Sequence, residues 1–552
     1  MNKKIPLTLF TLASLVIAAC VPATTPPALA PTLAPTQQPA PTATPAPRGP
    51  WWNDTVFYEI FVRSFKDSDG DGIGDFNGIT EKLDYLQALG IRGLWLMPIH
   101  PSPSYHGYDV TDYYAVNADY GTMDDFKNLL AEAHKRNIKI IIDLVINHTS
   151  AQHPWFKQAL QGDPEYKQWY IWSDTDPGFL GPWNAKAWHR ASNGQYYYAI
   201  FWDQMPDLNY DHPAVREEVN TITAFWLQEV GVDGFRLDAI RYLDEDGKIL
   251  ADAPTTHAFL REWGAYYRSL NPEAFTVGEI WTSNSSVAKY TRGDELTSAF
   301  NFDLSTYILR GLGEGNATTI NFVLNDMLRL FPEQNNANFL TNHDINRVAS
   351  YTFGDNALAQ GKAAAGMLFT MPGIPFIYYG EEIGMTGVKP DEKIRTPMQW
   401  TGEPKSGFTT GTPWQAVNAD YKTINVAAQT GLADSLLEHY RRLIQLRNAS
   451  SALRSGATYP VKADVRRLVT FVRASADETV LVVINVDDQA VSNYTLTLEQ
   501  GPLTGTYKVT PLLGEAEAIA PTVNAAGGFE AYVPVAEVPP YAVLIFQLTP
   551  NP

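Results

Sequence analysis

At 552 residues the chain can hold one large core with accessory parts, because single cores stop growing near ~250–300 residues. Its formal net charge of −19 and the absence of a basic stripe argue against nucleic acid as a partner. Aromatic residues make up 12% of the sequence, with 14 Trp and 28 Tyr, a supply that suits sugar stacking and a large aromatic core equally.

The N-terminal stretch MNKKIPLTLFTLASLVIAAC sets Lys3 and Lys4 before an apolar run that ends at the only cysteine, Cys20. The run is too short to cross a bilayer and stay there, so residues 1–19 read as a secretory signal. Its ending, IAAC, resembles the bacterial lipobox. That resemblance implies cleavage before Cys20, lipidation of its sulfur, and a lipid-anchored, extracytoplasmic place in the cell envelope. The alternative is an ordinary signal peptide with an incidental cysteine. With Cys20 used in this way, no disulfide can form within the mature chain, and the fold stands on its core. Residues 20–50 are rich in Pro, Ala and Thr and nearly free of charge, which favours extended polyproline II over packed structure. At ~3.1 Å per residue, thirty such residues reach roughly 90 Å from a membrane; the alternative is a tail with no spacing role.

From Trp51 onward, short apolar strands alternate with amphipathic helices. Apolar runs at 56–65, 93–99, 139–148, 234–240, 275–280, 300–304, 338–344 and 374–382 predict eight strands. Between them, residues 124–137 present Phe126, Leu129, Leu130 and Ala133 at helical spacing, and VREEVNTITAFWLQEVG closes on Gly231, which suits a helix C-cap. Strands buried on both faces and separated by helices imply a parallel sheet. Eight of them predict an α/β fold, a (β/α)8 TIM barrel built from residues 51–148 and 212–457. Residues 149–211, between the third strand and its helix, are too many for a plain connection and read as an inserted domain. After the helix at 435–448 the strands alternate without helices, so residues 458–552 predict a C-terminal antiparallel β-sandwich.

The stretch GFRLDAIRY (234–242) sits in one of the strand-like runs yet carries Arg236 and Asp238 two residues apart, on one face of a strand. In a barrel the C-terminal strand ends form the active-site mouth. Asn147 and His148, Arg236 and Asp238, Glu279, and His343 with Asp344 all fall at such ends. One charged pair would suit a barrel-lining salt bridge; three carboxylates, two histidines and an arginine at one mouth suit a site. Arg236 beside Asp238 should lower the pKa of that carboxyl, as a nucleophile needs. Glu279, sharing a pocket with two other acids, should hold its proton to higher pH. One ionised and one protonated carboxyl on adjacent strands is the arrangement of a retaining glycosidase.

DLVINH (143–148), GFRLDAIRY, VGEIW (277–281), FLTNHD (339–344) and GIPFIYYGEEIG (373–384) resemble, in order, the motifs of the α-amylase family, glycoside hydrolase family 13. The resemblance implies that Asp238 is the nucleophile, Glu279 the general acid/base, and Asp344 the carboxylate that stabilises the distorted sugar. It also implies that His148, Arg236 and His343 bind the reacting sugar with Tyr108 stacked beneath it. Residues 149–211 would be the family's domain B and the C-terminal β region its domain C. MPDLNY (205–210) resembles the intermediary group between oligo-1,6-glucosidase and neopullulanase types, and Ala239 resembles the residue of α-1,4-acting members. In exo-acting relatives, residues matching Asp109 and Arg395 clamp the terminal glucose; the alternative for this pair is a structural salt bridge at the pocket rim.

DSDGDGIGD (67–75) offers acid oxygens at Asp67, Asp69, Asp71 and Asp75 with Gly72 turning the chain, ligands of the kind calcium prefers. Its twelfth position is Gly78 where an EF-hand has glutamate, so a free-standing calcium loop is the reading, against a merely acidic turn. The family resemblance adds the carbonyl of Ile73 and a structural role for Ca2+, with no organic cofactor. A second calcium through Asn147 stays open, because Tyr242 stands where calcium-dependent amylases have histidine. The expected protein is therefore a monomeric α-amylase acting on starch-like α-glucan. An exo-acting α-glucosidase or transglycosylase on short oligosaccharides is the alternative, and a non-catalytic glucan-binding lipoprotein is a remote one.

Overall fold

The computed structural model describes residues 50–351 and 356–551; Cys20, the signal and the Pro-rich segment lie outside the described residues. Eight parallel strands close into a barrel in sequence order: β1 (Phe57–Ile60), β2 (Gly93–Leu96), β3 (Lys139–Leu144), β4 (Gly234–Leu237), β5 (Phe275–Gly278), β6 (Ser298–Phe300), β7 (Asn336–Asn338) and β8 (Ile374–Tyr378), which returns to β1. The expected (β/α)8 barrel is thus present, with an antiparallel β region behind it.

Alternation along each strand divides the core. Phe57, Trp95, Ile141, Phe275 and Phe376 fill the barrel interior, while Tyr58, Leu94, Ile140 and Phe235 face the surrounding helices. The interior is largely aromatic: Phe57 stacks on Phe376 with ring centroids 4.5 Å apart and on Phe275 at 5.0 Å. Each such ring contributes about 1.5–3 kcal/mol through burial. The filling leaves no room at Gly93, where an added Cβ would lie 2.5 Å from the Phe57 ring.

The strands are shorter than the apolar runs that predict them. Val62–Phe65, at the end of the first run, is a helical turn. The sixth differs most: β6 ends at Phe300, and Phe302–Glu314 is a helix that begins where a strand was expected. The side chain of Asn301 accepts from Leu304 N, an N-cap that turns the chain from strand to helix within one residue. The helix at Pro213–Ala224 continues as a π-helical turn over Phe225–Val230 and stops at Gly231, whose φ of 91° provides the left-handed C-cap.

Between β3 and β4, residues 149–211 carry a helix at Pro154–Leu160 and a three-stranded antiparallel sheet of Trp172–Ser173, Trp188–Arg190 and Tyr196–Tyr198. The stretch MPDLNY ties this segment back to the end of β3. Leu208 N donates to Asn147 O (3.0 Å), Thr149 N to Pro206 O (3.1 Å), and Asn147 Nδ2 to Asp207 Oδ2 (3.2 Å).

At the C-terminus a five-stranded sheet (Ala457–Pro460, Leu468–Ala474, Thr479–Asn485, Val543–Pro550, Tyr507–Leu513) faces a three-stranded one. Its strand Thr479–Asn485 alternates between two neighbours: Val480, Val482 and Ile484 pack into the barrel-helix core, while Leu481 and Val483 pack against the smaller sheet. Two buried arginines pin the junction. Arg447 donates to the carbonyls of Phe369 (2.9 Å) and Gly373 (2.6 Å), and Arg473 to Thr370 O (2.8 Å), Gly456 O (3.1 Å) and Gln334 Oε1 (3.0 Å). Burial, with each arginine beside another, lowers the pKa of both.

Candidate active site

The C-terminal mouth of the barrel opens into a cavity of about 670 Å3. Arg236 stands at its base on β4, 1% exposed, with three carboxylates on one guanidinium. Nη1 donates to Asp143 Oδ1 (2.7 Å) and Asp238 Oδ1 (2.7 Å), and Nη2 to Glu279 Oε2 (2.6 Å). Asp238 follows the last residue of β4 and Glu279 the last residue of β5, so adjacent strand ends deliver both acids to one cation. Ala239 takes a left-handed conformation (φ 48°), and its N–H donates to Glu279 Oε2 (3.2 Å). A non-glycine residue held there carries backbone strain of the kind that clusters at functional sites.

One guanidinium cannot fully compensate three buried acids. Burial pushes Asp238 up to about 6, with Arg236 offsetting only part and Asp143 adding to the rise. This overturns the expectation of a lowered pKa: desolvation outweighs the arginine. Glu279 rises to about 7, again through burial first, partly offset by Arg236 and reinforced by Asp238 and Asp344. The order expected of the pair, Glu279 above Asp238, is kept.

A second group lies on the far side. Burial opposes a charge on His343, but Asp344 and Glu59 override it and push the imidazole up to about 10. Its Nδ1 donates to Glu59 Oε1 (2.6 Å), and its Nε2 lies 2.7 Å from Tyr108 Oη and 3.1 Å from Asp344 Oδ2. Asp344 also receives Arg395 Nη2 (2.8 Å). Against the cost of burial, His343 and Arg395 hold the Asp344 carboxyl well below the usual carboxylate range.

Most of the expected residues meet at this mouth. Tyr108, His148, Asp238, Glu279, Asp344 and Arg395 line the cavity, with Arg236 and His343 directly behind. His148 is held neutral by burial, its pKa down at about 4. Its Nε2–H donates to the Tyr108 carbonyl (3.1 Å), which leaves Nδ1 to accept from Asn147 Nδ2 (3.3 Å). Asp109 is 1% exposed and accepts from Ser102 Oγ (2.6 Å) and Ser104 Oγ, whereas the ion pairs of Arg395 go to Asp344 and Asp391. Among the described residues no ion pair joins Asp109 to Arg395 directly.

Two site residues were not singled out from the sequence. Asp143, the first residue of DLVINH, accepts from Arg236, Tyr108 Oη (3.2 Å) and Trp95 Nε1 (3.3 Å). Glu59 holds His343 from β1. Both are lone acids inside apolar strands, the same signal that marked Arg236.

The acidic loop lies apart from this mouth. Carboxylate oxygens of Asp67, Asp69 and Asp71 come within 4.8 Å of one another. Asp67 is fixed by Gly70 N (2.6 Å), Gly72 N (2.8 Å) and Thr409 Oγ1, and Ile73 N donates to Asp71 Oδ1 (2.7 Å). Burial, then the charges of Asp69 and Asp67, raise the pKa of Asp71. Three converging like charges and an all-oxygen donor set fit a hard divalent cation. Asp75 differs from expectation: its carboxylate caps the helix Phe76–Glu81 through Gly78 N (2.6 Å) and takes Ser68 N (2.7 Å), outside the three-carboxylate group. Gly72 makes the turn at φ 99°, where a Cβ would strike Thr412 O.

A family model described as "Alpha amylase, catalytic domain" matches residues 59–456. Alpha-amylase 3 of Dictyoglomus thermophilum is 44% identical over 444 residues, covering 79% of this chain and 86% of its own. Oligo-1,6-glucosidase of Heyndrickxia coagulans is 35% identical over 518 residues, covering 80% and 93%. The crystal structure of alpha-amylase from H. orenii aligns at a TM-score of 0.77 with 37% identity, covering 90% of this chain and 99% of that one. Matched by the catalytic-domain model across most of its length, and carrying a barrel mouth that gathers acids on one arginine, the chain belongs to the α-amylase family and is a glycoside hydrolase.

Proposed function

We propose that the protein hydrolyses α-1,4-glucosidic bonds of starch-like glucans and maltodextrins with retention of configuration. The observation that carries this reading is the pair of carboxylates, Asp238 and Glu279, on the two terminal nitrogens of Arg236. A single guanidinium between them suits the short separation, about 5–5.5 Å, used by retaining glycosidases. Asp238, the lower of the two in pKa, attacks the anomeric carbon while Glu279 passes its proton to the departing glycosidic oxygen, leaving a glycosyl ester on Asp238. Glu279, now ionised, takes a proton from water as that water attacks the anomeric carbon and frees Asp238. Asp344, held ionised by His343 and Arg395, offers negative charge to the oxocarbenium-like transition state. Tyr108 and His148 line the place of the reacting sugar, with Arg236 and His343 behind them.

The preference for α-1,4 bonds and internal cuts is supported by Ala239 after the nucleophile and by likeness to proteins named alpha-amylase. An exo-acting α-glucosidase is the second reading, favoured by the rim that Arg395 closes with Asp344 and Asp391, and by likeness to oligo-1,6-glucosidases. Loss of iodine colour from soluble starch, followed against reducing ends released, separates the two. Fast colour loss with few ends supports internal cutting, whereas ends accumulating while colour persists refutes it.

The loop of Asp67, Asp69 and Asp71 is proposed to hold a structural Ca2+, which would neutralise the three acids and fix the turn. Residues 149–211 and 458–552 are taken as domains B and C. The IAAC ending supports a lipid anchor at Cys20 and an extracytoplasmic location, with the catalytic unit acting as a monomer.

A further inference from the structure

The two groups at the mouth, the acids on Arg236 and the pair of His343 with Asp344, are joined by a line of hydrogen bonds from β1 to β3. At its start, Glu59 Oε1 accepts from His343 Nδ1 (2.6 Å). The other ring nitrogen, Nε2, lies 2.7 Å from Tyr108 Oη and 3.1 Å from Asp344 Oδ2. Tyr108 Oη lies in turn 3.2 Å from Asp143 Oδ2, and Asp143 Oδ1 accepts from Arg236. Glu59 and His343 are both buried, so bulk water serves neither.

Only one placement of hydrogens suits this line. Ionised carboxylates accept and do not donate. The single hydrogen of Tyr108 Oη therefore goes to Asp143, and the hydroxyl accepts from Nε2. Nε2 then carries a hydrogen, shared between Tyr108 and Asp344, while Nδ1 gives its own to Glu59. A ring with hydrogens on both nitrogens is an imidazolium. Removing either hydrogen would set a ring lone pair against a carboxylate oxygen, Glu59 on one side or Asp344 on the other. Burial raises the Glu59 carboxyl and His343 draws it back; with the imidazole pushed up to about 10, the proton between them rests on His343. The other neighbours do not replace Glu59. The Trp95 ring stands edge-on to the imidazole at 5.6 Å, and Tyr378 on β8, close enough to feel the Glu59 charge, donates its hydroxyl to Ile394 O (3.1 Å).

We infer, on the reading of Asp344 as the ionised carboxylate beside the reacting sugar, that Glu59 is a positioning residue: its charge keeps a hydrogen on both nitrogens of His343, which turns the Tyr108 hydroxyl toward Asp143 and keeps a cation against Asp344. With a neutral group at this position, His343 gives up the Nε2 hydrogen as pH rises. Nε2 then becomes an acceptor, Tyr108 swings its hydrogen away from Asp143, and Asp344 is left with Arg395 alone.

Glu59→Gln tests this, because glutamine keeps the side-chain size and an oxygen to accept from Nδ1 but not the charge. The first readout is the histidine spectrum of 15N-labelled protein. Of the 10 histidines, His343 should remain an imidazolium at pH 9 in the wild type and titrate below pH 9 in Glu59→Gln. No charged ring at pH 9 in the wild type, a result that needs no variant, overturns the inference; so does a charged ring unmoved by Glu59→Gln. The second readout uses α-glucosyl fluoride, whose leaving group needs no proton. Glu279→Gln removes the alkaline limb that Glu279 itself imposes, so its kcat/KM should stay level from pH 7 to 9. Adding Glu59→Gln should bring a limb back, with about a tenfold fall across that range. A merely structural Glu59 would lower the profile without bending it, and a level profile in the double variant overturns the inference. A limb already present in Glu279→Gln alone would instead overturn the assignment of Glu279, and the histidine spectrum then decides the role of Glu59 by itself.

Discussion

Replacing Glu279 by glutamine tests the chemistry with little disturbance of the geometry. The carboxylate accepts from Arg236 Nη2 and Ala239 N through the same oxygen, and a glutamine carbonyl can accept both. What disappears is the transferable proton and, above pH 7, one negative charge beside Arg236. General acid catalysis contributes about 10²–10⁴ in rate, so kcat/KM for maltopentaose should fall by roughly 10³. Fluoride leaves without a proton donor, so kcat/KM for α-glucosyl fluoride, which reports the steps up to fluoride release, should fall by no more than about tenfold. The pH profile offers a second reading. With Asp238 up to about 6 and Glu279 up to about 7, wild-type activity on maltopentaose needs the first ionised and the second protonated. It should fall as pH drops through 6, where Asp238 takes a proton, and as pH rises through 7, where Glu279 loses one. In Glu279→Gln the alkaline limb should vanish. The acid limb should stay near pH 6, because Glu279 already carries its proton there and a neutral amide replaces a neutral acid. Stopped-assay kinetics from pH 4 to 9 on both substrates would suffice. Equal losses on the two substrates, or an alkaline limb that survives, would refute the assignment.

Three further outcomes are expected. Chelation should lower Tm by calorimetry and calcium restore it; an unshifted melt with no metal by elemental analysis would count against the Asp67–Asp69–Asp71 site. Arg473→Leu leaves the carbonyls of Thr370 and Gly456 without that donor and should cost about 2–4 kcal/mol; chemical denaturation showing no loss would mean that the guanidinium is dispensable. Cys20→Ser in the full chain should shift the protein from membrane to soluble fractions, whereas unchanged fractionation would exclude the lipid anchor.

The barrel was legible because its eight apolar runs are separated by helical periods, and the burial of both strand faces leaves few other arrangements. Strand lengths were not, since apolar residues continue past the last ladder bond; Val62, Phe65 and Phe302 are apolar but helical. Arg236, Asp238, Glu279 and Asp344 stood out as charges at strand ends. Glu59 and Asp143 carry the same mark, but their roles emerge only when distant segments meet, β1 with His343 and β3 with Arg236. The Asp238 pKa failed for a related reason: sequence shows the neighbouring arginine, but not the burial that outweighs it or the two other acids that share it.

The strand Thr479–Asn485 has consequences for how this protein can be rearranged. With alternate residues owned by the barrel helices and by the smaller sheet, the seam between the two regions runs through the middle of a strand pair and not through a linker. A chimera that swaps the C-terminal sheets alone would inherit foreign contacts at Val480, Val482 and Ile484, and would strand Arg473 from Thr370 and Gln334. The insertion between β3 and β4 is bound in the same way: its two ends lie side by side at His148 and Asp207, but Phe156, Tyr170 and Leu208 share the barrel-helix core, so neither accessory region lifts away along a seam free of shared packing.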